Sequence, residues 1–161
     1  MKHKYQDTLV IIKPDALQRS LLGEIISRFE RKGLQIRAMK MLKIADNVLD
    51  DHYRHHIDKP FFPGLKRFMQ TSPVILMVIS GIDAISAVRL LVGPTDGSKA
   101  DAGSIRGDFS LNTQSNIVHA SDSEETAIVE IERFFTLAEI FDYQKPDAPY
   151  VYSSETDWGD V

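Results

Sequence analysis

The chain has 161 residues, 43% of them hydrophobic and 26% charged, with a formal net charge of −4. That length fits one domain able to bury its own core, and the composition excludes disordered and membrane-spanning classes. With no cysteine there are no disulfides, thiolate metal sites or cysteine nucleophile, and the acidic balance disfavours a surface built for nucleic acid.

Lys2 and Lys4 precede an apolar run, Leu9–Ile12, that is far too short for a signal segment, so a cytoplasmic protein is expected. Asp7–Lys13, halted by Pro14, reads as a buried strand. Gly23–Lys32 carries Ile25, Ile26 and Phe29 at helical spacing, with Gly33 as its stop. Leu34–Ile44 alternates loosely and reads as a second strand. Asp46 is placed to cap a helix running towards His56, and Pro60 and Pro63 fence a shorter helix, Gly64–Gln70. Val74–Ile79 reads as a central strand, and Ile82–Leu91 has helical periodicity.

From Gly93 to Asn112 small and polar residues predict one long irregular segment, of the kind that usually serves function. Asn116–Ala120 is a short strand candidate. Ser121 with Glu124, or Asp122 with Glu125, has capping-box spacing before a helical face of Ala127, Ile128, Ile131, Phe134 and Phe135. After Thr136 comes an arm that frays at its acidic end, Glu155–Asp160. Stripped of extra helices, the order is βαββαβ. This predicts an α+β, ferredoxin-like domain spanning 1–161: a four-stranded antiparallel sheet, helices packed on one side, and a long loop at the site. The arm is about 136–161.

Neither a Walker-type phosphate loop nor a Gly-x-Gly-x-x-Gly segment occurs, so a phosphate site would need side chains. Lys13, Arg19, Arg89 and Arg106 fall at element ends or in loops; each alone reads as a solvated surface charge. His119 ends a strand ahead of a helix start, where anions are favoured and a neutral imidazole is a competent nucleophile. Position alone favours a core or capping histidine there. Glu130 could orient its ring. His52 with His55 or His56 has zinc-ligand spacing but no evident third ligand, and Phe61 or Phe62 could stack on a base.

Asn116-Ile-Val-His119-Ala-Ser-Asp-Ser123 closely resembles the active-site signature of nucleoside diphosphate kinases. The resemblance extends from Thr8-Leu-Val-Ile-Ile-Lys-Pro-Asp15 to about Tyr143, through Gly23–Gly33, His52-Tyr53, Lys59-Pro-Phe-Phe-Pro-Gly64 and Ser104-Ile-Arg-Gly-Asp-Phe109. It implies transfer of the γ-phosphate of a nucleoside triphosphate to a diphosphate, with Mg²⁺, by a ping-pong route through a phosphohistidine on Nδ1 of His119.

The same resemblance assigns phosphate contacts to Lys13, Tyr53, Arg89, Thr95, Arg106 and Asn116, base stacking to Phe61, and support of the histidine to Ser121 and Glu130. Asn116 also falls near the sugar. The Mg²⁺ would be held mainly by nucleotide phosphates, with Asp122 a candidate for a water-mediated contact. A homo-oligomer is implied, hexameric rather than tetrameric, with no membrane or dedicated nucleic-acid partner. Ala16 and Ala120 stand where glycine is usual, and Gly97 and Ala102 where proline is frequent in a loop that makes subunit contacts. The tail 147–161 matches poorly and receives no role. The alternative is a catalytically silent nucleotide-binding regulator of the same fold; His119 and all its cationic partners are present, which disfavours it.

Overall fold

A computed structural model describes residues 4–152. The strands are β1 (Tyr5–Ile12), β2 (Gln35–Leu42), β3 (Val74–Ile82) and β4 (Val118–Ala120), paired antiparallel in the order β2-β3-β1-β4. This is the expected ferredoxin-like sheet.

The two central strands are apolar without alternation, the pattern of a sheet covered on both faces. Val10, Ile12, Ile75, Met77 and Ile79 face one core, closed by α1 (Pro14–Gln18), α2 (Leu22–Arg31), and, later in the chain, Ala84–Val92 and Ile105–Phe109. Leu9, Ile11, Val74, Leu76 and Val78 face the other. Helices α3 (Asp46–His52), α4 (Phe62–Met69) and Glu124–Phe134 close that side. The expectation of helices on one side is therefore corrected. In chain order the remaining helices are α5 (Ala84–Val92), α6 (Ile105–Phe109), α7 (Glu124–Phe134) and α8 (Ala148–Val151).

Helix α2 buries Ile25 and Phe29, one turn apart, each contributing roughly 1.5–3 kcal/mol. It stops at Gly33, whose φ of +95° lets its N–H reach Glu30 C=O (2.9 Å) and Leu34 N–H reach Phe29 C=O (3.2 Å). A side chain there would also collide with Val151.

Elsewhere the boundaries move. Lys13 lies beyond β1 and caps the unexpected α1. Ala45, not Asp46, is the N-cap of α3, because the Asp46 carboxylate is taken by Gln70 and Lys66. Helix α3 ends at His52, followed by a separate 3-10 turn, Arg54–His56. Helix α4 starts earlier than Gly64, with Pro63 in its first turn. Strand β3 runs on to Ile82, and α5 begins only at Ala84, after Asp83 at a φ of +51°.

Helix α7 starts with neither suggested capping pair. Ser123 is its N-cap, accepting Thr126 N–H at 3.1 Å; Ser121 is buried, and Glu124 pairs with Lys4. The segment after Gly93 is also more ordered than expected. It holds a 3-10 turn, Gly97–Lys99, and α6, which Ser104 caps by accepting Gly107 N–H at 3.1 Å. An Arg28–Asp108 ion pair of 2.6 Å ties this loop to α2.

Strand β4 is shorter than Asn116–Ala120. Ile117 has a φ of +74°, and Val118 N–H donates to Asn116 C=O at 2.8 Å, the marks of a strained γ-turn. Such a conformation costs a β-branched residue about 1–3 kcal/mol and persists only where neighbours enforce it. Past Thr136 the arm lies along β2, with Phe141 N–H bonded to Arg37 C=O and the Tyr143 hydroxyl to Ile36 C=O, both 2.9 Å. The acidic stretch Glu155–Asp160 falls outside the described residues. Among those described, no helix is long and apolar enough to cross a membrane.

Candidate active site

His119 is the middle residue of β4 and pairs with Ile11, which puts it on the sheet face shared with α3 and α7. Its Nε2 lies 3.0 and 3.1 Å from the two carboxylate oxygens of Glu130 on α7. Ser121, fully buried, donates its hydroxyl to Glu130 at 2.6 Å and accepts Leu9 N–H at 3.2 Å. Burial alone would push the Glu130 carboxyl up, but the bond and charge of His119, with the Ser121 hydroxyl, bring it down to about 2. Glu130 is thus a buried carboxylate. With Nε2 engaged, Nδ1 is the ring nitrogen of His119 left without a partner among the described residues.

The cations gather from distant parts of the chain. Lys13 donates Nζ to Oδ1 of Asn116 at 2.6 Å, and the Asn116 amide donates to Thr95 C=O at 2.9 Å. Burial, with Arg106 nearby, lowers the Lys13 ammonium to about 8, partly opposed by Asp15. Arg106 on α6 donates to the carbonyls of Asn116 (3.2 Å), Gly93 (2.8 Å) and Val118 (2.7 Å). That leaves hydrogens free on both terminal nitrogens. Burial and Arg89 hold its pKa down to about 10. Arg89 leaves the last turn of α5 exposed. This crowding of positive charge, only partly offset by Asp15, favours the binding of a polyanion.

These side chains line one cavity of about 640 Å³, within the range of small-molecule sites. Lys13, Tyr53, Phe61, Arg89, Thr95, Arg106, Asn116, His119, Asp122 and Glu130 all border it. Ser121 lies behind Glu130 instead. Arg19 does not join them; its guanidinium is bonded to Phe109 C=O. The Tyr53 hydroxyl is buried without a protein partner among the described residues, and burial with the Glu130 charge raises its pKa. Phe61, 52% exposed, presents its ring at the mouth, edge-on to His56 at 5.2 Å. The anion-binding end is not the start of α7, where Ser123 fills the cap and Glu124 and Glu125 add negative charge.

Thr113, Gln114 and Thr126 border the cavity without a signal in the sequence, and His55 and His56, considered only for zinc, border it too, as does His52. His52 lies inside rather than on a solvated face, edge-on to His119 with ring centroids 4.8 Å apart. Burial and the adjacent His119 take its pKa down to about 3, so it is neutral. Its placement beside Tyr53 in the matching motif was the available signal. Among the described residues the zinc pairing of His52 with His55 or His56 gains no third ligand. His52, His119 and Glu130 do approach within 4.8 Å of one another, but the Arg133 guanidinium 3.3 Å from His52 Nδ1 already supplies a cation there.

An antiparallel α+β sandwich holding a histidine–carboxylate pair in a cationic cavity has the chemistry of a phosphate-handling site, and its relatives are phosphotransferases. The sequence model for nucleoside diphosphate kinase matches residues 6–140. Similar proteins include a nucleoside diphosphate kinase of Parabacteroides distasonis, 49% identical over 93% of this chain and 98% of the relative. One from Staphylothermus marinus is 53% identical over 84% and 96%. The Halobacterium salinarum enzyme, solved in complex with CDP, superposes with a TM-score of 0.90 at 40% identity, covering 92% of this chain and 99% of that one. A transition-state mimic of the Borrelia burgdorferi enzyme, with vanadate and ADP, gives 0.86 at 35% identity, covering 92% and 98%. The chain belongs to the nucleoside diphosphate kinase family.

Proposed function

We propose that His119 is the phosphate carrier of this kinase, loaded by a nucleoside triphosphate and unloaded by a nucleoside diphosphate in one pocket. The observation that carries the reading is the engaged Nε2 of His119, which leaves Nδ1 as the free nitrogen in a cavity with Lys13, Arg89 and Arg106. The Nδ1 lone pair attacks the γ-phosphorus, the bond to the β–γ bridging oxygen breaks, and its electron pair leaves with the diphosphate. The proton on Nε2 stays in place, and the Glu130 carboxylate balances the positive charge of the phosphorylated ring. A terminal oxygen of a second diphosphate then attacks the phosphorus, and the N–P electrons return to Nδ1.

Phosphoryl transfer depends chiefly on positioning and charge neutralisation. Arg106, Arg89 and Lys13 supply both, while Tyr53, Thr95 and Asn116 are placed to bond phosphate or sugar oxygens and Phe61 to stack on the base. Among described cavity residues the carboxylates are Glu130, already used by His119 and Ser121, and exposed Asp122. Such a donor set fits a Mg²⁺ that arrives on nucleotide phosphates, with Asp122 in reach through water. When bound, the ion neutralises charge on the transferred and leaving groups.

The same reading makes the chain one family domain whose arm begins near Thr136, working in the cytoplasm as a homo-oligomer of hexameric type. Exposed Met39 (54%), Met41 (60%) and Leu90 (73%) support subunit contacts. The test is to load the protein with γ-labelled ATP and Mg²⁺, isolate it, and chase with GDP. An acid-labile label that passes to GTP, and is absent in His119→Ala, is expected; no label on the wild type, or equal label on the variant, overturns the reading.

A further inference from the structure

We infer that Asp15 is a positioning residue for the phosphate carrier: its carboxylate locks the strained turn at Ile117 that brings Asn116 and His119 onto one wall of the cavity. The inference rests on the proposed role of His119.

In a regular strand, side chains three residues apart point to opposite faces. Asn116 and His119 nevertheless both line the cavity, while the neighbours Ile117 and Val118 both enter the same core. The γ-turn at Ile117 makes this reversal. A fully buried isoleucine at a φ of +74° has no local reason to stay there, and an extended conformation would continue β4 towards Asn116.

What holds it is the segment 13–15. Asp15 Oδ2 accepts Ile117 N–H at 3.0 Å, and Lys13 N–H donates to Ile117 C=O at 2.9 Å. Arg106 grips the carbonyls on either side, those of Asn116 and Val118. Of these holds, the Asp15 carboxylate is the one that satisfies the turn's own N–H. If Asp15 loses its acceptor, that N–H is left unpaired in the interior, the turn relaxes, and Asn116 swings away from Lys13. The carboxylate acts a second time through its charge, which favours the protonated form of Lys13.

The two actions separate in Asp15→Asn, which keeps an oxygen to accept Ile117 N–H but has no charge. Both are lost in Asp15→Ala. Single-turnover transfer of label from γ-labelled ATP to the protein is measured from pH 7 to 9.5, beside circular dichroism of each variant. The wild type takes label and His119→Ala takes none, which secures the reading of His119 independently. Asp15→Ala is expected to transfer about 10- to 100-fold more slowly. Asp15→Asn should recover most of the rate at pH 7, with its alkaline loss beginning at lower pH than in the wild type. Should Asp15→Ala fail to fold, Asp15→Ser, whose shorter side chain does not reach Ile117 N–H, carries the test and is expected to transfer as slowly. A labelled wild type with wild-type rates in Asp15→Ala or Asp15→Ser overturns the inference.

Discussion

Both carboxylate oxygens of Glu130 face one nitrogen of His119, with Nε2 at 3.0 and 3.1 Å, and Ser121 steadies the carboxylate from behind at 2.6 Å. This fixes the proton on Nε2, aligns the ring and leaves the Nδ1 lone pair available. Glu130→Gln keeps the shape but removes the charge that balances a phosphorylated ring. Hydrogen bonds to charged groups are worth about 1.5–3 kcal/mol, so phosphoryl transfer should slow about 10- to 100-fold. Nucleotide affinity should change little, because Glu130 does not touch phosphate in this account. Rapid-quench transfer rates beside equilibrium binding check the split.

The same carboxylate governs acid stability. Its pKa is about 2 in the folded protein against an ordinary 4.5. Folding therefore favours the charged form; the stabilisation is complete above pH about 4.5 and is lost as pH falls towards 2. Denaturant midpoints measured across that window should fall more steeply for the wild type than for Glu130→Gln.

Lys13 titrates at the opposite end. Its pKa falls from 10.5 to about 8, so the buried charge costs stability below pH 8, and that cost fades as pH rises towards 10.5. A bound polyphosphate restores the proton. Affinity for ADP should thus be level below pH 8 and fall above it, by up to about tenfold per pH unit for one linked proton. Calorimetric titrations at several pH values test this, and Lys13→Met should bind weakly with no such limb.

Phe61 separates base from phosphate recognition. Its exposed ring at the mouth can stack on any base, an interaction worth about 1–3 kcal/mol by alanine substitution. Phe61→Ala should weaken ADP binding by roughly 5- to 150-fold and leave tripolyphosphate binding nearly unchanged. Equal losses for both ligands would remove the ring from base binding.

Legibility in the sequence followed the range over which each feature is determined. The apolar runs at Leu9–Ile12 and Val74–Ile79 announced central strands because burial on both faces leaves no polar position. Ile25 and Phe29 marked α2, and Gly33 its end. Helices α1 and α6, five residues each, are too short to display a period, and their order comes from tertiary bonds such as Arg28–Asp108. The turn at Ile117 was hidden because isoleucine argues for strand, and the bonds that oppose it come from Lys13 and Asp15, the latter a hundred and two positions away, and from Arg106. Ser121, Asp122 and Ser123 are all capping residue types; Ser121 is buried behind Glu130, and Ser123 takes the cap. Lys13 after β1, Arg89 on α5 and Arg106 on α6 converge from elements that spacing does not relate, while Arg19 looked equivalent and points elsewhere. Family motifs singled out the residues that meet; local physics alone would have left His119 an ordinary histidine.

The central claim is most directly tested by the position of the phosphoryl group on the ring. Protein with ¹⁵N-labelled histidine, loaded from ATP and denatured in base, is examined by ³¹P–¹⁵N NMR. A single phosphohistidine bonded through Nδ1 of His119, absent from a sample treated with a nucleoside diphosphate before denaturation, is the predicted result. Phosphate on Nε2, or on another residue with His119 unmodified, would contradict it.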